Sequence, residues 1–244
     1  TDFWGYIWQG YPAEHLTCNA LEWQHAEGGG MILDAALGVT VNNAHTVTAL
    51  ERARSWIGAI SPPSVRTADE DSCAREWRRG RAAFMRLWAM GYAIFNDPVM
   101  GDLTETTVLP AGSVRHAATL GGWPLAVRAA STDVKTAVAR IREITAAAAQ
   151  RERAMARHPY LPALCALYDE PAIRQRMPLY QEILPFVDAG GLAIRPAKVA
   201  GARYPQVSSA YATAVASVLY AGVDAAAALA ELEQTLVALL RGDA

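Results

Sequence analysis

A chain of 244 residues, 52% of them hydrophobic and 19% charged, is long enough to bury one large core or two smaller ones. Its 22 basic and 24 acidic residues give a formal net charge of −2, which excludes the basic footprint of a nucleic-acid or anionic-membrane binder. No apolar run approaches the roughly 20 residues that span a bilayer. No targeting signal is visible, and a mature or truncated chain would also lack one.

Three helices are predicted in the first 80 residues, from apolar side chains at helical spacing and from capping residues. They are 13–26, which the glycines at 28–30 end; 44–57, which begins after Asn43; and a helix that runs from an acidic start at 67–72 to Gly80. Between the first two, residues 31–34 and 39–41 predict a short hairpin. No Lys-Ser/Thr pair follows the triple glycine, so it indicates a C-cap and turn rather than a phosphate loop.

The chain is organised around residues 77–96. A basic helix end at Gly80 is followed by a short apolar run of β character, and Trp88 then precedes a second predicted helix. Strand ends in open α/β sheets are common ligand sites, and an indole there offers an apolar face and one N–H donor. From position alone, a Trp88 that only fills the core is an equally good interpretation.

The second half of the chain predicts mostly helices. Gly121, Gly122 and Trp123 stand immediately before a predicted apolar strand. A long helix is predicted from Thr132 to about Arg157. The remaining segments are short helices at 163–168, 171–176 and 179–187, a loop at 193–196, and two closing helices at 206–220 and 225–240.

Cysteine and histidine spacing bears on the alternative chemistries. Cys18 and Cys73 could form a disulfide in an oxidising compartment, which would leave Cys165 alone, or the thiols could be inert and buried. The five histidines fit no HExxH or other close ligand spacing. We therefore expect no metal site and no cofactor.

Six blocks of sequence, in order, resemble the extracytoplasmic solute-binding proteins of ABC sugar importers, in particular the carboxy-terminal two thirds of the maltose/trehalose-binding group. They are Phe-Trp-Gly-Tyr-Ile-Trp-Gln-Gly at 3–10 with 16–23, Trp-Ile-Gly-Ala-Ile-Ser-Pro-Pro at 56–63, Gly-Arg-Ala-Ala-Phe-Met-Arg-Leu-Trp at 80–88, Ala-Thr-Leu-Gly-Gly-Trp at 118–123, Ala-Leu-Tyr-Asp-Glu-Pro at 166–171 and Tyr-Pro-Gln-Val-Ser at 204–208. Any one block is weak, but six in this order are specific.

The resemblance implies an α/β, periplasmic-binding-protein-like (type II) fold of two lobes that close on a sugar. By this resemblance, residues 1–105 begin the C-terminal lobe, 106–156 belong to the N-terminal lobe, and 157–244 complete the C-terminal lobe with the closing helices. The portion that builds most of the N-terminal lobe is absent, so 106–156 would lack the strands they pack against. We therefore expect the isolated chain to be marginally stable, since it would expose apolar surface and strand edges.

The implied partners are a small carbohydrate, the transmembrane permease subunits of an ABC importer and the missing N-terminal segment of the same protein. No nucleic acid is expected to bind. The implied location is periplasmic or extracytoplasmic, with or without a lipid anchor.

The resemblance also assigns ligand-binding residues. The sugar-stacking indole falls on Trp88 and the indole of the Gly-Gly-Trp block on Trp123, while Glu70 matches an acidic contact to sugar hydroxyls. The other assigned positions are Arg195 as a cleft arginine, Tyr211 as an aromatic from the penultimate helix, Gly10 through its backbone amide, Thr67 through its hydroxyl, and Gly122. Plainer interpretations are core packing for Trp123 and Tyr211, a helix-start acid for Glu70 and a surface ion pair for Arg195.

Two observations leave the ligand open. Leu87-Trp88-Ala89-Met90 stands where relatives often carry Asn-Trp-Pro-Tyr, which removes a second aromatic and favours a smaller or modified sugar. Arg195 could instead pair bidentately with a sulfonate or phosphate on the sugar.

Two other classes of function compete with sugar binding. A glycoside hydrolase would use carboxylates from 69–71, but neighbours at one helix start cannot straddle a glycosidic bond, so we expect no enzyme. A helical partner-binding module is the third hypothesis. Indoles beside glycine-rich turns argue against it.

Overall fold

The computed structural model describes residues 3–88, 103–156, 160–176 and 179–242. In chain order the elements are β1 (Trp4–Ile7), α1 (Glu14–Glu27), α2 (Ala44–Trp56), α3 (Glu70–Arg78), β2 (Ala82–Met85), β3 (Ala118–Thr119), α4 (Val134–Thr145), α5 (Ala147–Met155), α6 (Pro171–Arg176), α7 (Leu179–Asp188), β4 (Leu192–Ala193), α8 (Ala197–Ala200), α9 (Tyr204–Ala221) and α10 (Ala225–Arg241). The helix expected after Trp88 falls largely on residues 89–102, which lie outside the described residues.

The chain divides into two compact units. Unit 1 comprises 1–87, 109–120 and 189–244, and unit 2 comprises 88–108 and 121–188. The division differs from the segments expected by resemblance, because 109–120 associate with unit 1 and the chain up to 188 with unit 2. The assignment of segments to lobes stays a prediction.

Local signals fix most helix ends in unit 1. Gly28 adopts φ +95°, a left-handed conformation that suits glycine, and so ends α1. The side chain of Asn43 accepts a hydrogen bond from the backbone N–H of Thr46 at the start of α2. Asp69 and Ser72 form a reciprocal capping box on α3. The predicted helices in this region are therefore present within one to three residues of their expected bounds.

The sheets of the described residues are two parallel pairs. β1 pairs with β2, with Trp4 opposite Ala82 and Tyr6 opposite Phe84. β3 pairs with β4, with Ala118 opposite Leu192. The hairpin expected over 31–41 is reduced to a single antiparallel bridge between Leu33 and Val39.

The core of unit 1 lies among α1, α2, α9 and α10. Its largest fully buried side chains include Trp8, Leu16, Leu50 and Leu229. Trp23 lies edge-on to two other indoles, with ring centroids 4.9 Å from Trp8 and 5.5 Å from Trp56. Edge-to-face aromatic pairs stabilise the folded state beyond the contribution of apolar burial alone.

The core of unit 2 is smaller. Its buried residues are Ala154, Leu167, Tyr168, Ile173, Leu179 and Tyr180. None of the α4 side chains is fully buried.

Two predictions in unit 2 are wrong. The single helix expected over 132–157 is broken at Ala146, which has φ −61° and ψ 152°. The side chain of Gln150 folds back and donates to the Thr145 carbonyl at 2.6 Å, while its own oxygen accepts from the Ala163 N–H at 2.8 Å. The strand expected directly after Trp123, at 125–127, does not form; the strand next to the glycine pair is β3, which precedes it.

The cysteines form no disulfide. Cys18 and Cys73 are buried thiols, and burial raises the pKa of each to about 12, so both stay protonated at neutral pH. Cys165 is exposed. Among the described helices, none has the length and apolar content to cross a membrane.

Candidate functional site

Trp88 and the Gly-Gly-Trp block meet in unit 2. A Cβ added to Gly121 would lie 2.6 Å from Cζ3 of the Trp88 indole, so the ring packs directly on the glycine backbone. A Cβ added to Gly122 would have no heavy atom within 4 Å. The glycines thus differ in role: Gly121 makes room for the indole, and Gly122 faces open space.

The indole of Trp123 is 85% exposed. This exposure contradicts the interpretation of Trp123 as a core residue, because a core indole would be shielded from water. Trp88 is half-buried. Both indoles predicted to bind ligand are therefore at least partly accessible to solvent. Gly121, two residues before Trp123, packs against the ring of Trp88.

Arg195 lies in a polar cluster of unit 1 built on the first turn of α1. Its Nη1 donates to Glu14 Oε1 at 2.6 Å, and its Nη2 donates to the Leu120 carbonyl at 3.3 Å. Glu14 also accepts hydrogen bonds from the hydroxyls of Tyr204 and Ser208. In this structure Arg195 therefore forms an ion pair with Glu14, as its plainer interpretation describes.

Burial by itself would raise the pKa of Glu14. The hydrogen bonds from its three donors outweigh burial and hold the pKa below its ordinary value. Glu14 therefore stays ionised and compensates the charge of Arg195. The sequence analysis did not predict Glu14, Tyr204 or Ser208 as site residues. The position of Glu14 at a helix start could be seen in the sequence, but the residues that bond to it could not.

Glu70, the first residue of α3, pairs with a histidine. Its Oε2 lies 2.8 Å from Nδ1 of His15, and both side chains are about one-third exposed. Thr67 is exposed nearby in sequence, and its hydroxyl donates to the Ser64 carbonyl at 3.2 Å. Both predicted residues can thus be reached by solvent.

Two predicted residues are buried instead. A Cβ on Gly10 would lie 2.4 Å from the Val65 carbonyl oxygen, and the Tyr220 hydroxyl donates to the Gly10 carbonyl at 2.7 Å. Tyr211 is fully buried in the core, where its hydroxyl donates to Gln24 at 2.8 Å. In this structure Tyr211 packs in the core, as its plainer interpretation describes, and a role in ligand binding stays a prediction.

The acidic start of α3 is occupied by structural contacts. The Asp69 carboxylate accepts from the backbone N–H of Ser72 at 2.8 Å and from its hydroxyl at 2.6 Å. These hydrogen bonds hold the pKa of Asp69 below its ordinary value, so it is a poor proton donor at neutral pH. The arrangement does not favour acid–base hydrolysis at this helix start.

Comparison with known proteins supports the resemblance. No protein-family model matches the chain. The chain is 40% identical over 222 residues to a probable ABC transporter-binding protein of Deinococcus radiodurans, an alignment that covers 89% of this chain and 52% of that protein. The chain therefore spans about half the length of this curated relative.

Solved structures show the same fold. Maltose-bound MalE3 of T. maritima is 28% identical with a TM-score of 0.84, over 97% of this chain and 61% of that one. An ABC transporter solute-binding protein of Thermotoga lettingae, bound with α-D-tagatose, is 18% identical with a TM-score of 0.80, over 98% and 60% of the two chains. The GacH receptor of Streptomyces glaucescens is 20% identical with a TM-score of 0.75, over 99% and 60%.

These relatives are named as a transporter-binding protein, a solute-binding protein and a receptor rather than as enzymes. In sequence and in fold, the chain is thus similar to the solute-binding proteins of ABC sugar importers, and it has the fold of part of a type II periplasmic binding protein.

Proposed function

We propose that the chain is part of the carbohydrate-binding component of an ABC importer. The complete protein captures a disaccharide or a small modified saccharide in its cleft and delivers it to a membrane permease. The observation that carries the proposal is the pair of accessible indoles in unit 2, Trp88 on Gly121 and the 85% exposed Trp123. An indole face stacks on the apolar face of a sugar ring and offers an N–H to a hydroxyl.

The proposed hydrogen-bonding groups are charged or hydroxyl side chains that solvent reaches. Glu70 and Arg195 serve sugar hydroxyls, because hydrogen bonds with an ionised partner are stronger than neutral ones. Thr67 contributes a hydroxyl. Gly122 contributes a backbone with open space around it, and Gly10 contributes a backbone group in a crowded, buried position. Tyr211 is left out because it is fully buried.

A neutral sugar fits this charge distribution better than an anionic one. The guanidinium of Arg195 is already compensated by Glu14 at 2.6 Å, and Glu70 adds a second carboxylate to unit 1. A sulfonated or phosphorylated sugar would have to displace Glu14 from Arg195 and leave that carboxylate uncompensated. The anionic ligand remains the alternative that the experiment below distinguishes.

The remaining part of the longer protein is proposed to complete the fold. Helix α4 carries Val134 and Ile144 exposed on its surface, with Val138 and Ile141 half-buried between them. An amphipathic helix with an uncovered apolar stripe is stabilised by packing against another element. We assign that covering to the missing N-terminal segment, and we place the complete protein outside the cytoplasm, beside its permease.

A thermal-shift screen of the complete protein tests the function. The panel holds neutral monosaccharides and disaccharides together with sulfonated and phosphorylated sugars. A ligand that binds only the native state stabilises it by about 2.7 kcal/mol at a hundredfold excess over its dissociation constant. We expect a rise in Tm with a neutral sugar; a rise only with anionic sugars would establish the alternative ligand.

The matched variants are Trp123→Ala and Tyr160→Ala, which each remove an exposed aromatic side chain from unit 2. Loss of the shift in Trp123→Ala, and its retention in Tyr160→Ala, is the expected result. No shift with any sugar across the panel would overturn the proposal.

A further inference from the structure

A buried charged network ties together three segments of unit 1 that precede predicted ligand residues. Glu22 on α1 and Arg86 after β2 are each only 3% exposed. The pair is bidentate, with Nη2 to Oε1 at 2.6 Å and Nε to Oε2 at 3.1 Å. Oε1 of Glu22 also accepts from the backbone N–H of Thr119 at 3.0 Å, so one carboxylate holds both a side chain and a backbone group.

Gln9, two residues after β1, completes the network. Its Oε1 accepts from Nη1 of Arg86 at 3.2 Å, and its Nε2 donates to the Arg86 carbonyl at 2.8 Å. Arg86 is thus held at its side chain and its backbone. The polar groups of this charged pair have the partners that burial demands.

The network is a costly way to stabilise a core. Removing two charges from water costs several kcal/mol, and well-packed apolar residues often serve stability equally well. What such a network supplies instead is a fixed geometry, since each partner is held by several directional bonds. The positions of the network residues along the chain therefore indicate which part of the structure the network holds in place.

Three members of the network, the ones that contact Glu22 or Arg86 from other segments or follow β2, lie just before residues of the proposed site. Arg86 precedes Trp88 by two residues, Thr119 precedes Gly121 by two residues, and Gln9 precedes Gly10 directly. Trp88 and Gly121 contact each other in unit 2. Glu22 therefore bonds to both chain segments that lead into the contact on which the proposed stacking indole rests.

We propose that Glu22 is a positioning residue for ligand binding, which sets the Trp88 indole on Gly121 by holding Arg86 and Thr119 together. The inference rests on the proposed function for its ligand. The placement of Trp88 by Glu22 stands independently of which ligand binds. This separation allows an experiment in which the two proposals fail differently.

The chain offers a matched control on the same helix. Glu27, 4% exposed, accepts bidentate hydrogen bonds from Arg52 at 2.6 and 2.9 Å. It also accepts from the backbone N–H and the hydroxyl of Ser113, at 3.3 and 2.7 Å. Glu27 makes the same kinds of hydrogen bonds as Glu22, although Arg52 is more exposed than Arg86, and it leads to none of the proposed ligand residues.

The experiment compares Glu22→Gln with Glu27→Gln in the complete protein. Titration with maltose as the probe measures affinity, and the fluorine NMR signal of Trp88 in fluorotryptophan-labelled protein, assigned with Trp88→Phe, measures indole placement. In Glu22→Gln we expect a shifted Trp88 signal and roughly tenfold weaker maltose binding, a loss within the range of coupled network residues. In Glu27→Gln we expect the Trp88 signal and the maltose affinity to match those of the unmodified protein, although the unfolding midpoint of this variant falls as it does in Glu22→Gln.

An unmoved Trp88 signal in Glu22→Gln, or equal shifts in both variants, would overturn the inference. If the unmodified protein does not bind maltose, that choice of ligand fails while the Trp88 signal still decides the inference. If Glu22→Gln does not fold by circular dichroism, Arg86→Lys replaces it under the same criteria, since it keeps the charge and loses the bidentate geometry.

Discussion

Units 1 and 2 differ in how they bury apolar side chains. In unit 1, α1, α2, α9 and α10 surround one large cluster of buried residues. In unit 2 the described core has six buried residues, and α4 contributes none of them. Because apolar burial supplies most of the stabilising free energy, unit 1 should hold its fold more strongly than unit 2. The proposed stacking indoles belong to the more weakly packed unit.

The largest expected effect is loss of a core side chain in either unit. Leu229→Ala in unit 1 and Ile173→Ala in unit 2 should each cost about 2–5 kcal/mol, since both side chains are fully buried. Urea unfolding followed by circular dichroism reports mainly unit 1. The fluorine NMR signals of Trp88 and Trp123 in fluorotryptophan-labelled protein report unit 2, because these are the two tryptophans of that unit. Leu103→Ala, at a 77% exposed leucine, is the control and should change neither midpoint.

Each substitution should move mainly its own probe if the units differ in stability as described. Identical shifts of both probes in both variants would show a single cooperative transition and remove the distinction between the units.

A smaller effect is expected at the paired glycines. Gly121→Ala forces a methyl group against the Trp88 ring and should cost about 1–3 kcal/mol, with a changed indole emission. Gly122→Ala, one residue on, places its methyl group in open space and should change neither property. Denaturant unfolding and fluorescence spectra measure both; equal behaviour of the two variants would contradict the packing of Trp88 on Gly121.

Acid should weaken unit 1 through Glu14. Its native-state pKa is lowered, so its contribution is fully present above the unfolded-state pKa of about 4.3 and is lost as the pH falls through the native value. We therefore expect the stability difference between the unmodified chain and Glu14→Gln to shrink between pH 5 and pH 3. Urea unfolding at a series of pH values measures it.

Ser208→Ala removes one of the donors that lower the Glu14 pKa, so it should produce a smaller change in the same direction. A stability difference that stays constant from pH 7 to pH 3 would show that the Glu14 cluster is not linked to folding.

The smallest effect is expected on the surface of α4. Ile144→Ser, at an exposed position, should change the stability of the 244-residue chain by less than about 0.5 kcal/mol. In the complete protein the same change should lower the Tm measurably, because we propose that another segment covers this helix. Equal insensitivity in both proteins would show that α4 stays exposed.

The sequence predicted what short-range chemistry controls. The left-handed glycine at Gly28 and the cap at Asn43 placed the ends of α1 and α2, because both act within four residues along the chain. The break at Ala146 was missed, because an alanine run suits a helix and the contact that accompanies the break comes from Gln150 and the Ala163 N–H. Residues 125–127 had strand propensity but form no strand in the structure.

The candidate site divides in the same way. Trp88 and the Gly-Gly-Trp block could be found from the sequence, since an indole beside glycines is a local signal. The contact between Trp88 and Gly121, the pairing of Arg195 with Glu14, and the burial of Tyr211 could not. Each depends on residues far apart in the chain.

By itself, the sequence determined most of the helices, the caps at Gly28 and Asn43, the resemblance to sugar-binding proteins and the indoles proposed to bind ligand. Only the tertiary structure decided which charged residues are compensated, which aromatic residues are accessible, and that Glu22 bonds to both segments leading to Trp88 and Gly121. The physical reason is the distance along the chain over which each interaction acts. Caps and helical periodicity act over a few residues, whereas burial and ion pairing depend on which distant segments the fold brings together.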